Sequence, residues 1–572
     1  MNSNERWWKN SIGYIIYPES FLDTNGDGYG DLNGITQKLD YLHDLGINLI
    51  WICPLFLSPM CDSGYDVSDY YNINPLLGTM DDFMNLLNKA HSLGIRIILD
   101  FPINHTSDEH PWFELAIKDE NCEERGYYFF KKGKLNNGKV VPPNNWESFF
   151  GGSVWEKVKG KEDEYYFHLF DKKMPDVNWG DEQLRKKYYE IATFWLDKGI
   201  DGFRLDACAH LAKDISFRDS MNNSDEQGLV LDTSCYSCRE ELFSYLHEFK
   251  ESVFSRYNAL ILGEVGGEIT PEIGLKLTHR KYGVLDMLFN FDTVWNNGAF
   301  ESIDKKDEEI KTDVLSLKSN FMRWYNICHE DADLPLYWCN HDHPRLLSQY
   351  GDVRFRNESA KMLLTTLLFL YGTPFIYQGE EIGMSNPTSL SLKDYSKGDQ
   401  TNELEIKIWK DKGYSEEQIL HYFRRCNRLN SRTPIPWNSD KHAGFSSVEP
   451  YLPIDSNYSS GINILSEMED PYSILNFYQY AIWKRRDPLI NDSVIYGKLS
   501  LIDPNHPDVF AYLHSGAAGQ KLMVISNFRP YEVKFTFYYD ISDVLLHNYD
   551  GVILDNHVFT LRPYESFLLR LR

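Results

Sequence analysis

Basic residues are scarce relative to acidic ones in this chain. Its 572 residues include 58 Lys and Arg against 84 Asp and Glu, which gives a formal net charge of -26 at pH 7. A chain of that sign repels the phosphate backbone of nucleic acids and anionic lipid headgroups. We therefore expect neither nucleic acid nor a membrane surface as a partner.

Long apolar runs and a disulfide framework are also lacking. No stretch of about 18 uninterrupted apolar residues predicts a membrane span. The opening MNSNERWWKNS has neither the basic start nor the apolar core of a secretory signal, so we expect a cytoplasmic protein. The nine cysteines are odd in number and scattered, and the CxxC pair Cys235 and Cys238 has no second pair at zinc-ribbon spacing. We expect most cysteines to be buried thiols.

A unit of helix, glycine and apolar strand recurs along the chain. Helices with apolar residues three and four apart lead through Gly46 to INLIWIC, through Gly94 to IRIILD and through Gly199 to IDGFRLD. Near-continuous apolar strands are typical of parallel sheets that are buried on both faces. Five further strand candidates are IGYIIY, ALILGE, VLDMLF, LPLYWCN and TPFIYQ.

Eight such strands predict a TIM barrel, in which the active site lies at the carboxyl ends of the strands. An open doubly wound sheet is the alternative, but no GxGxxG motif follows the first strand. The repeat of helix and strand is interrupted after the third strand. Near the end of the chain, short strands with alternating apolar residues, such as VFAYLH and FLLRLR, replace it. We assign 1–104 and 179–489 to a catalytic (β/α)8 barrel, 105–178 to an inserted loop-rich domain and 490–572 to a C-terminal antiparallel β-sandwich.

Three short runs end predicted strands in acids: GFRLDA at 202–207, ILGE at 261–264 and NHD at 340–342. Because side chains two apart in a strand share a face, Arg204 and Asp206 both point into the barrel mouth. We expect the guanidinium to lower the pKa of Asp206 and to keep this carboxylate ionised as a nucleophile. A purely structural ion pair is the alternative.

Glu264 ends an apolar strand and is followed by Val265 and Gly266, so the sequence shows little nearby to neutralise it. Beside ionised Asp206 and Asp342 in a partly dry cleft, it is expected to stay protonated and to act as a general acid. Two carboxyl groups about 5 to 5.5 Å apart at a glycosidic bond would imply a covalent intermediate and net retention. A glutamate that begins a helix is the alternative interpretation.

Together with DFPINH at 100–105, these runs resemble in order and spacing the four signature regions of the α-amylase superfamily of retaining glycosidases. The nearest branch is that of the oligo-1,6-glucosidases and α-glucosidases. The resemblance implies that Asp342 stabilises the transition state and that His341 bonds the same sugar ring. The substrate-binding set that it implies is Asp62, Tyr65, His105, Arg204, His341 and Arg428.

One pairing within this set closes the pocket. The resemblance implies that Arg428, in the run RLNSRTP, pairs with Asp62 around the glucose at the non-reducing end. Leu429 stands where the family has Asp, which makes this alignment less secure. Pro102, His343 and Gly266 also depart from common family choices, but none of them removes a charged catalytic group.

The loop DTNGDGYGD offers oxygen atoms at alternating positions and resembles the first nine positions of a calcium loop. Gly34 at position twelve cannot replace the bidentate Glu, which excludes an EF-hand. The resembling branch has a calcium loop at this place, which implies structural Ca2+, or Mg2+ instead; a solvated acidic turn is the alternative. No organic cofactor is expected. The candidate ligands are Asp23, Asn25, Asp27, Asp31 and the Tyr29 carbonyl.

The resemblance predicts a retaining exo-acting α-glucosidase for a small disaccharide or oligosaccharide. Ala207 follows the nucleophile and favours α-1,4 bonds such as that of maltose, since α-1,6 enzymes of the branch tend to have Val there. Such a contact is worth about 1 to 3 kcal/mol of discrimination. The alternatives are oligo-1,6-glucosidase specificity, a glucosyl-transferring isomerase of the trehalose synthase or sucrose isomerase type, and a non-catalytic barrel relative. The oligomeric state is open between monomer and homodimer.

Overall fold

The structure is a computed structural model that describes residues 6–222, 224, 228–266, 269–293, 296–397, 400–516, 519–555 and 557–572. Its centre is a sheet of eight strands, numbered along the chain as β1 to β8: Gly13–Ile16, Leu49–Ile52, Arg96–Pro102, Gly202–Asp206, Leu260–Glu264, Met287–Phe289, Pro335–Leu336 and Thr373–Tyr377. Their spatial order is β6-β5-β4-β3-β2-β1-β8-β7, and all neighbours pair in parallel.

The two ends of this sheet meet and close the barrel. Just after β7, the hydroxyl of Tyr337 donates to the carbonyl of Asn290, which lies just after β6, at 2.7 Å. The predicted TIM barrel is confirmed, with each of the eight predicted runs supplying one strand. Because the strands are parallel, their carboxyl ends share one rim, and this rim positions the candidate site.

Helices lie in the connections between the strands and after β8. The first begins at the N-cap Asp31, whose side chain accepts the N–H of Gly34, and ends at Gly46, where φ of 98° is readily adopted only by glycine. The second begins with a capping box between Thr79 and Asp82. The longer helices are Leu32–Leu45, Met80–Ser92, Glu182–Asp197, Glu240–Ser252, Pro271–Thr278, Val314–Cys328, Arg356–Leu368 and Ile474–Arg486.

A separate small core follows β3. Helix Pro111–Lys118 is followed by a three-stranded antiparallel sheet and a short hairpin, formed by Phe130–Lys132, Trp155–Lys157 and Glu164–Phe167 and by Lys134–Asn136 and Lys139–Val141. Aromatic side chains such as Trp146 and Phe167 fill this insertion, and Phe217 and Tyr236 from the segment after β4 complete its core. The core of the inserted domain therefore combines residues from the segments that follow β3 and β4.

A helical excursion follows β8. It contains Leu392–Ser396, Gln400–Asp411 and Glu416–Cys426, which pack around a core that includes Tyr395 and Phe423. It faces the inserted domain across the rim, because a side chain added at Gly151 would meet Leu404.

The chain ends in two antiparallel sheets, as predicted. Their strands are Lys498–Ile502, Val509–Ser515, Lys521–Asn527, Ser566–Leu571 and Ile541–His547, and Val533–Thr536, Val558–Leu561 and Leu554–Asp555. The predicted start of this domain at residue 490 lies inside helix Pro488–Tyr496, so its strands begin only at Lys498. None of the helices in the described ranges combines the length and apolarity that a bilayer span requires. The nine cysteines are free thiols, and five of them are buried.

Candidate active site

Arg204 on β4 is the centre of the site and is only 1% exposed. Its Nη1 atom lies 2.7 Å from Oδ1 of Asp100 and 2.6 Å from Oδ1 of Asp206, and its Nη2 atom lies 3.0 Å from Oε1 of Glu264. The three acids come from β3, β4 and β5, which are neighbours in the sheet. One guanidinium therefore holds the predicted nucleophile and the predicted acid side by side.

Burial dominates the electrostatics of Asp206. It raises the pKa of this carboxyl group well above its ordinary value, Arg204 opposes the rise, and the charges of Glu264, Asp100 and Asp342 add to it. As predicted, the guanidinium of Arg204 lowers the pKa of Asp206, but the rise caused by burial is larger. The expectation of a lowered pKa for Asp206 is therefore wrong, because the sequence does not show how far this strand end is withdrawn from water.

Glu264 is not isolated, contrary to the sequence-based expectation. Its Oε1 atom contacts the Arg204 guanidinium, and its Oε2 atom accepts the peptide N–H of Ala207 at 3.1 Å. Ala207 has a left-handed backbone with φ of 46°. Both oxygens of Glu264 thus have N–H donors.

Asp342 lies in a set of positive and hydrogen-bonding groups. Its Oδ2 atom is 3.0 Å from Nε2 of His341, and its Oδ1 atom is 2.8 Å from Nη2 of Arg432. Burial would raise the pKa of Asp342, but His341, Arg432 and Arg428 outweigh it and hold the pKa well below its usual range. Asp342 is therefore an ionised carboxylate at the rim.

An aromatic stack positions His341. Its ring lies between those of Tyr65 and Tyr17, with ring centroids 5.4 Å and 6.0 Å away, and both stacks are nearly parallel. The Tyr65 hydroxyl lies 2.6 Å from Nε2 of His341 and donates to Oδ2 of Asp100 at 2.8 Å. The predicted binding residues Tyr65 and His341 are thus joined to the Arg204 cluster through Asp100.

One end of the cleft is formed by the pair that the resemblance implies. Nη2 of Arg428 lies 2.9 Å from Oδ1 of Asp62, so the substitution at Leu429 does not disturb this contact. The guanidinium of Arg428 also lies 5.4 Å from the centre of the Phe150 ring in the inserted domain. Parts of the chain that are 366 residues apart therefore meet at this end.

His105 lies at the end of the loop after β3 and is 1% exposed. Burial lowers its pKa to about 4, so the imidazole is neutral near pH 7. Within the described part of the chain its Nε2 atom has no hydrogen-bond partner. A neutral ring with an unused nitrogen is suited to bond a hydroxyl group.

Two members of the site received no role in the sequence analysis. Asp100 follows the apolar residues Ile97, Ile98 and Leu99, and its Oδ2 atom also accepts the indole N–H of Trp51 at 3.1 Å. Arg432 is the second arginine of RLNSRTP and donates through Nε to the carbonyl of His341 at 2.9 Å. A charged residue inside an apolar strand and a second arginine in a matched motif were the signals that could have identified them.

The DTNGDGYGD loop does not gather its acids around a common point. The carboxylate of Asp23 accepts peptide N–H groups of the loop and the hydroxyl of Ser446, and that of Asp31 accepts Thr24 and the helix N–H of Gly34. No group of three His, Cys, Asp or Glu side chains that could hold a metal occurs in the described ranges. Those side-chain types do not include an Asn side chain or a backbone carbonyl, so a structural Ca2+ or Mg2+ ion held by Asp23, Asn25, Asp27, Tyr29 and Asp31 stays a prediction.

Comparisons with known proteins cover nearly the whole chain. Residues 15–493 match the family model described as alpha amylase, catalytic domain. The chain is 40% identical to an oligo-1,6-glucosidase of Bacillus cereus, over 99% of this chain and 100% of that protein. The crystal structure of Bacillus licheniformis trehalose-6-phosphate hydrolase is similar with a TM-score of 0.90 and 38% identity, over 99% of both chains. The trehalulose synthase of Pseudomonas mesoacidophila MX-45 is similar with a TM-score of 0.89 and 34% identity, over 99% of both chains.

Proposed function

We propose that this chain, which belongs to the α-amylase family, is a retaining exo-acting α-glucosidase that releases glucose from short α-1,6-linked glucosides. That it is a glycoside hydrolase follows from the family match and from the curated relatives. The observation that carries the proposed mechanism is the sharing of one buried guanidinium by Asp206, Glu264 and Asp100. The substrate is a small saccharide, and a cytoplasmic location and the choice between monomer and homodimer stay predictions.

In the proposed mechanism the Asp206–Glu264 pair enters the reaction with one proton, in keeping with the raised pKa of Asp206. With that proton on Glu264, a carboxylate oxygen of Asp206 attacks the anomeric carbon. Glu264 gives the proton to the leaving oxygen, and a glucosyl ester of Asp206 forms. Glu264 then takes a proton from water, which attacks the ester carbon and frees glucose with its original anomeric configuration.

The roles of the remaining groups follow from their charges. Asp342 is ionised and faces His341 and Arg432, so it supplies a fixed negative charge for the positive charge that develops on the sugar ring. The Asp62–Arg428 pair bonds the outer hydroxyls of the glucose and closes the cleft behind it. A cleft closed at this end accepts the terminal sugar only, which supports exo action.

The linkage is taken from the relatives. Ala207 favours α-1,4 bonds, but curated relatives named oligo-1,6-glucosidase at 36 to 40% identity support the α-1,6 alternative instead. The α-1,4 preference is therefore not supported. The methyl group of Ala207 is a weak discriminator, worth about 1 to 3 kcal/mol at most.

Trehalose 6-phosphate is the second candidate substrate, because a trehalose-6-phosphate hydrolase of Bacillus subtilis is 38% identical over 99% of this chain. The charges around the cleft argue against it. Arg204, Arg428 and Arg432 each form an ion pair with a carboxylate of the site. A phosphate group would have to compete with these carboxylates.

The test is to incubate the purified protein with isomaltose, maltose, sucrose, trehalose and trehalose 6-phosphate and to follow the products by proton NMR. We expect isomaltose to give the highest kcat/KM and α-glucose to appear before mutarotation. Appearance of β-glucose first would contradict retention. Faster hydrolysis of trehalose 6-phosphate would favour the second candidate, and a new disaccharide from sucrose would indicate an isomerase.

A further inference from the structure

One buried thiol contacts the candidate site. Cys53 directly follows β2, its peptide N–H donates to the carbonyl of Ile16 at 2.9 Å, and it is 1% exposed. Because side chains two apart in a strand share a face, Cys53 lies on the same face as Trp51, whose indole ring approaches that of His341 edge-on. The Sγ atom of Cys53 lies 3.5 Å from Nδ1 of His341, a contact in which a thiol can act as a weak donor.

The neighbours of the other ring nitrogen of His341 show where its hydrogen lies. Burial raises the pKa of the Tyr65 hydroxyl well above its ordinary value, so the phenol keeps its single hydrogen and donates it to Oδ2 of Asp100. The Tyr65 oxygen, 2.6 Å from Nε2 of His341, is therefore an acceptor there. Oδ2 of Asp342 lies 3.0 Å from the same nitrogen and belongs to an ionised carboxylate, which only accepts. Nε2 of His341 therefore carries a hydrogen.

The thiol of Cys53 offers a hydrogen to Nδ1. A neutral imidazole with its hydrogen on Nε2 presents a lone pair at Nδ1. Burial raises the pKa of this thiol well above its ordinary value, and the charge of Asp100 adds to the rise, so the sulfur atom keeps its hydrogen near pH 7. Within the described ranges, Cys53 is the residue whose side chain is in hydrogen-bonding contact with Nδ1 of His341. A hydrogen bond from the thiol to Nδ1 satisfies both groups.

The groups around His341 fix its ring and leave the position of its hydrogen to the bonds in the ring plane. Its two faces are covered by the rings of Tyr17 and Tyr65, and Arg432 donates to its peptide carbonyl instead of to the ring. The charged or titratable groups that face it are Tyr17, Cys53, Tyr65, Asp342, His343 and Arg432. Because the stacked rings hold the imidazole in place, Cys53 and Asp342 meet opposite nitrogens of one fixed ring.

We propose that Cys53 is a positioning residue for the reaction, because its thiol donates to Nδ1 of His341 and thereby keeps the hydrogen of this ring on Nε2. The hydrogen bond that one nitrogen of an imidazole makes determines whether the other nitrogen is protonated. In this tautomer Nε2–H faces Asp342 as a neutral donor, so Asp342 keeps its full negative charge for the positive charge that develops on the sugar ring. This role of Cys53 rests on the proposed function, since that function assigns the charge of Asp342 to the transition state.

Two substitutions separate the hydrogen bond of the thiol from its packing. Cys53→Ala removes the donor, whereas Cys53→Ser supplies an O–H donor in a side chain of similar shape. Cys328→Ala is the control, because Cys328 is also buried but lies on helix Val314–Cys328, away from the site. We would measure kcat and KM for p-nitrophenyl α-glucoside against pH, together with urea unfolding. Nitrogen-15 NMR of protein with labelled histidine would report the tautomer, and a His341→Gln variant would identify the signals of His341.

We expect Cys53→Ala to lower kcat about 3- to 10-fold and to change KM less than about twofold, as the loss of one neutral hydrogen bond would. The acid limb of its kcat profile should move to higher pH. The reason is that an unbonded Nδ1 takes up a proton more readily, and the imidazolium then offsets the charge of Asp342. Cys53→Ser should recover about half or more of the wild-type kcat, and Cys328→Ala should match wild type. The wild-type spectrum at pH 7 should show the hydrogen of His341 on Nε2.

Three results would overturn the role of Cys53. They are a hydrogen on Nδ1 of His341 in wild type at pH 7, an unchanged kcat profile in Cys53→Ala, and a loss in Cys53→Ser as large as that in Cys53→Ala. The last result would show that packing is the cause. The wild-type spectrum decides the question even where Cys53→Ala does not fold. Failure of wild type to cleave any glucoside would refute the proposed function instead, and the spectrum would still report the tautomer.

Discussion

Replacing Arg204 by Gln removes the positive charge that three buried carboxylates share. The guanidinium lies 2.6 to 3.0 Å from Asp100, Asp206 and Glu264. Loss of one partner from a buried ion pair costs about 3 to 5 kcal/mol of the free energy of unfolding. Because Arg204 opposes the rise that burial causes in the pKa of Asp206, its loss should raise the pKa of that carboxyl group further.

The consequences for pH dependence follow from the sign of this shift. Asp206 must be ionised to attack, so the acid limb of kcat/KM should move to higher pH and kcat/KM at pH 7 should fall about 100-fold or more. A carboxyl group whose pKa is higher in the folded than in the unfolded protein binds its proton more tightly when folded. Its contribution to stability is present at low pH and is lost as pH rises through the interval between the two values. The Arg204→Gln variant should therefore be more strongly destabilised at pH 8 than at pH 5.

The assay is kcat/KM for p-nitrophenyl α-glucoside against pH, together with urea unfolding at pH 5 and pH 8. Arg96→Gln is the control, since Arg96 pairs with Asp201 at 2.8 Å at a half-exposed position at the other end of the barrel. Such a surface pair is worth about 1 kcal/mol or less, so the control should keep its pH profile. An acid limb that stays in place in Arg204→Gln would refute the account of this cluster.

Three further predictions concern the other charged groups. Glu264→Gln should lower kcat on isomaltose by about 10²- to 10⁴-fold. The variant should still form a glucosyl-enzyme from α-glucosyl fluoride, because the fluoride leaving group needs no proton. An equal loss of activity on both substrates would contradict the role of Glu264 as the acid. In a double-mutant cycle of Asp62→Ala and Arg428→Ala, the effects on kcat/KM should be non-additive by about 1 to 3 kcal/mol. Additive effects would show that the 2.9 Å contact between Nη2 of Arg428 and Oδ1 of Asp62 has no part in binding. Arg432→Leu should raise the pKa of Asp342 and move the acid limb of kcat upward, whereas an unchanged kcat profile would show that Arg432 does not hold this charge.

The barrel could be predicted because its signals are local. Helical spacing, a glycine at the helix end and an apolar strand occur within about thirty residues of each other, as at Leu32–Leu45, Gly46 and Leu49–Ile52. The lengths of the strands were harder to predict from the sequence. Strand β7 pairs only over Pro335–Leu336, although the apolar run LPLYWCN is longer. Pairing depends on the neighbouring strand, and a single segment does not reveal it.

The sequence predicted many of the residues that form the site, but not their pKa values or their ionic contacts. Acids at the ends of β4 and β5 are visible in the chain, whereas the contact of Glu264 with the Ala207 N–H joins positions 57 residues apart. The pKa of Asp206 depends on burial, which only the fold determines. In the acidic loop, Asp23 and Asp31 direct their carboxylates to separate donors, an arrangement that the sequence does not show.

The claim that most of this account depends on is that Asp206 becomes glucosylated while Glu264 and Asp342 do not. Incubation with 5-fluoro-α-glucosyl fluoride, which slows hydrolysis of the ester, followed by peptide mass spectrometry would locate the sugar directly. We predict one added fluoroglucosyl group on the peptide that contains Asp206, and none in an Asp206→Asn variant. A label on any other residue, or turnover without a label, would contradict the proposed mechanism.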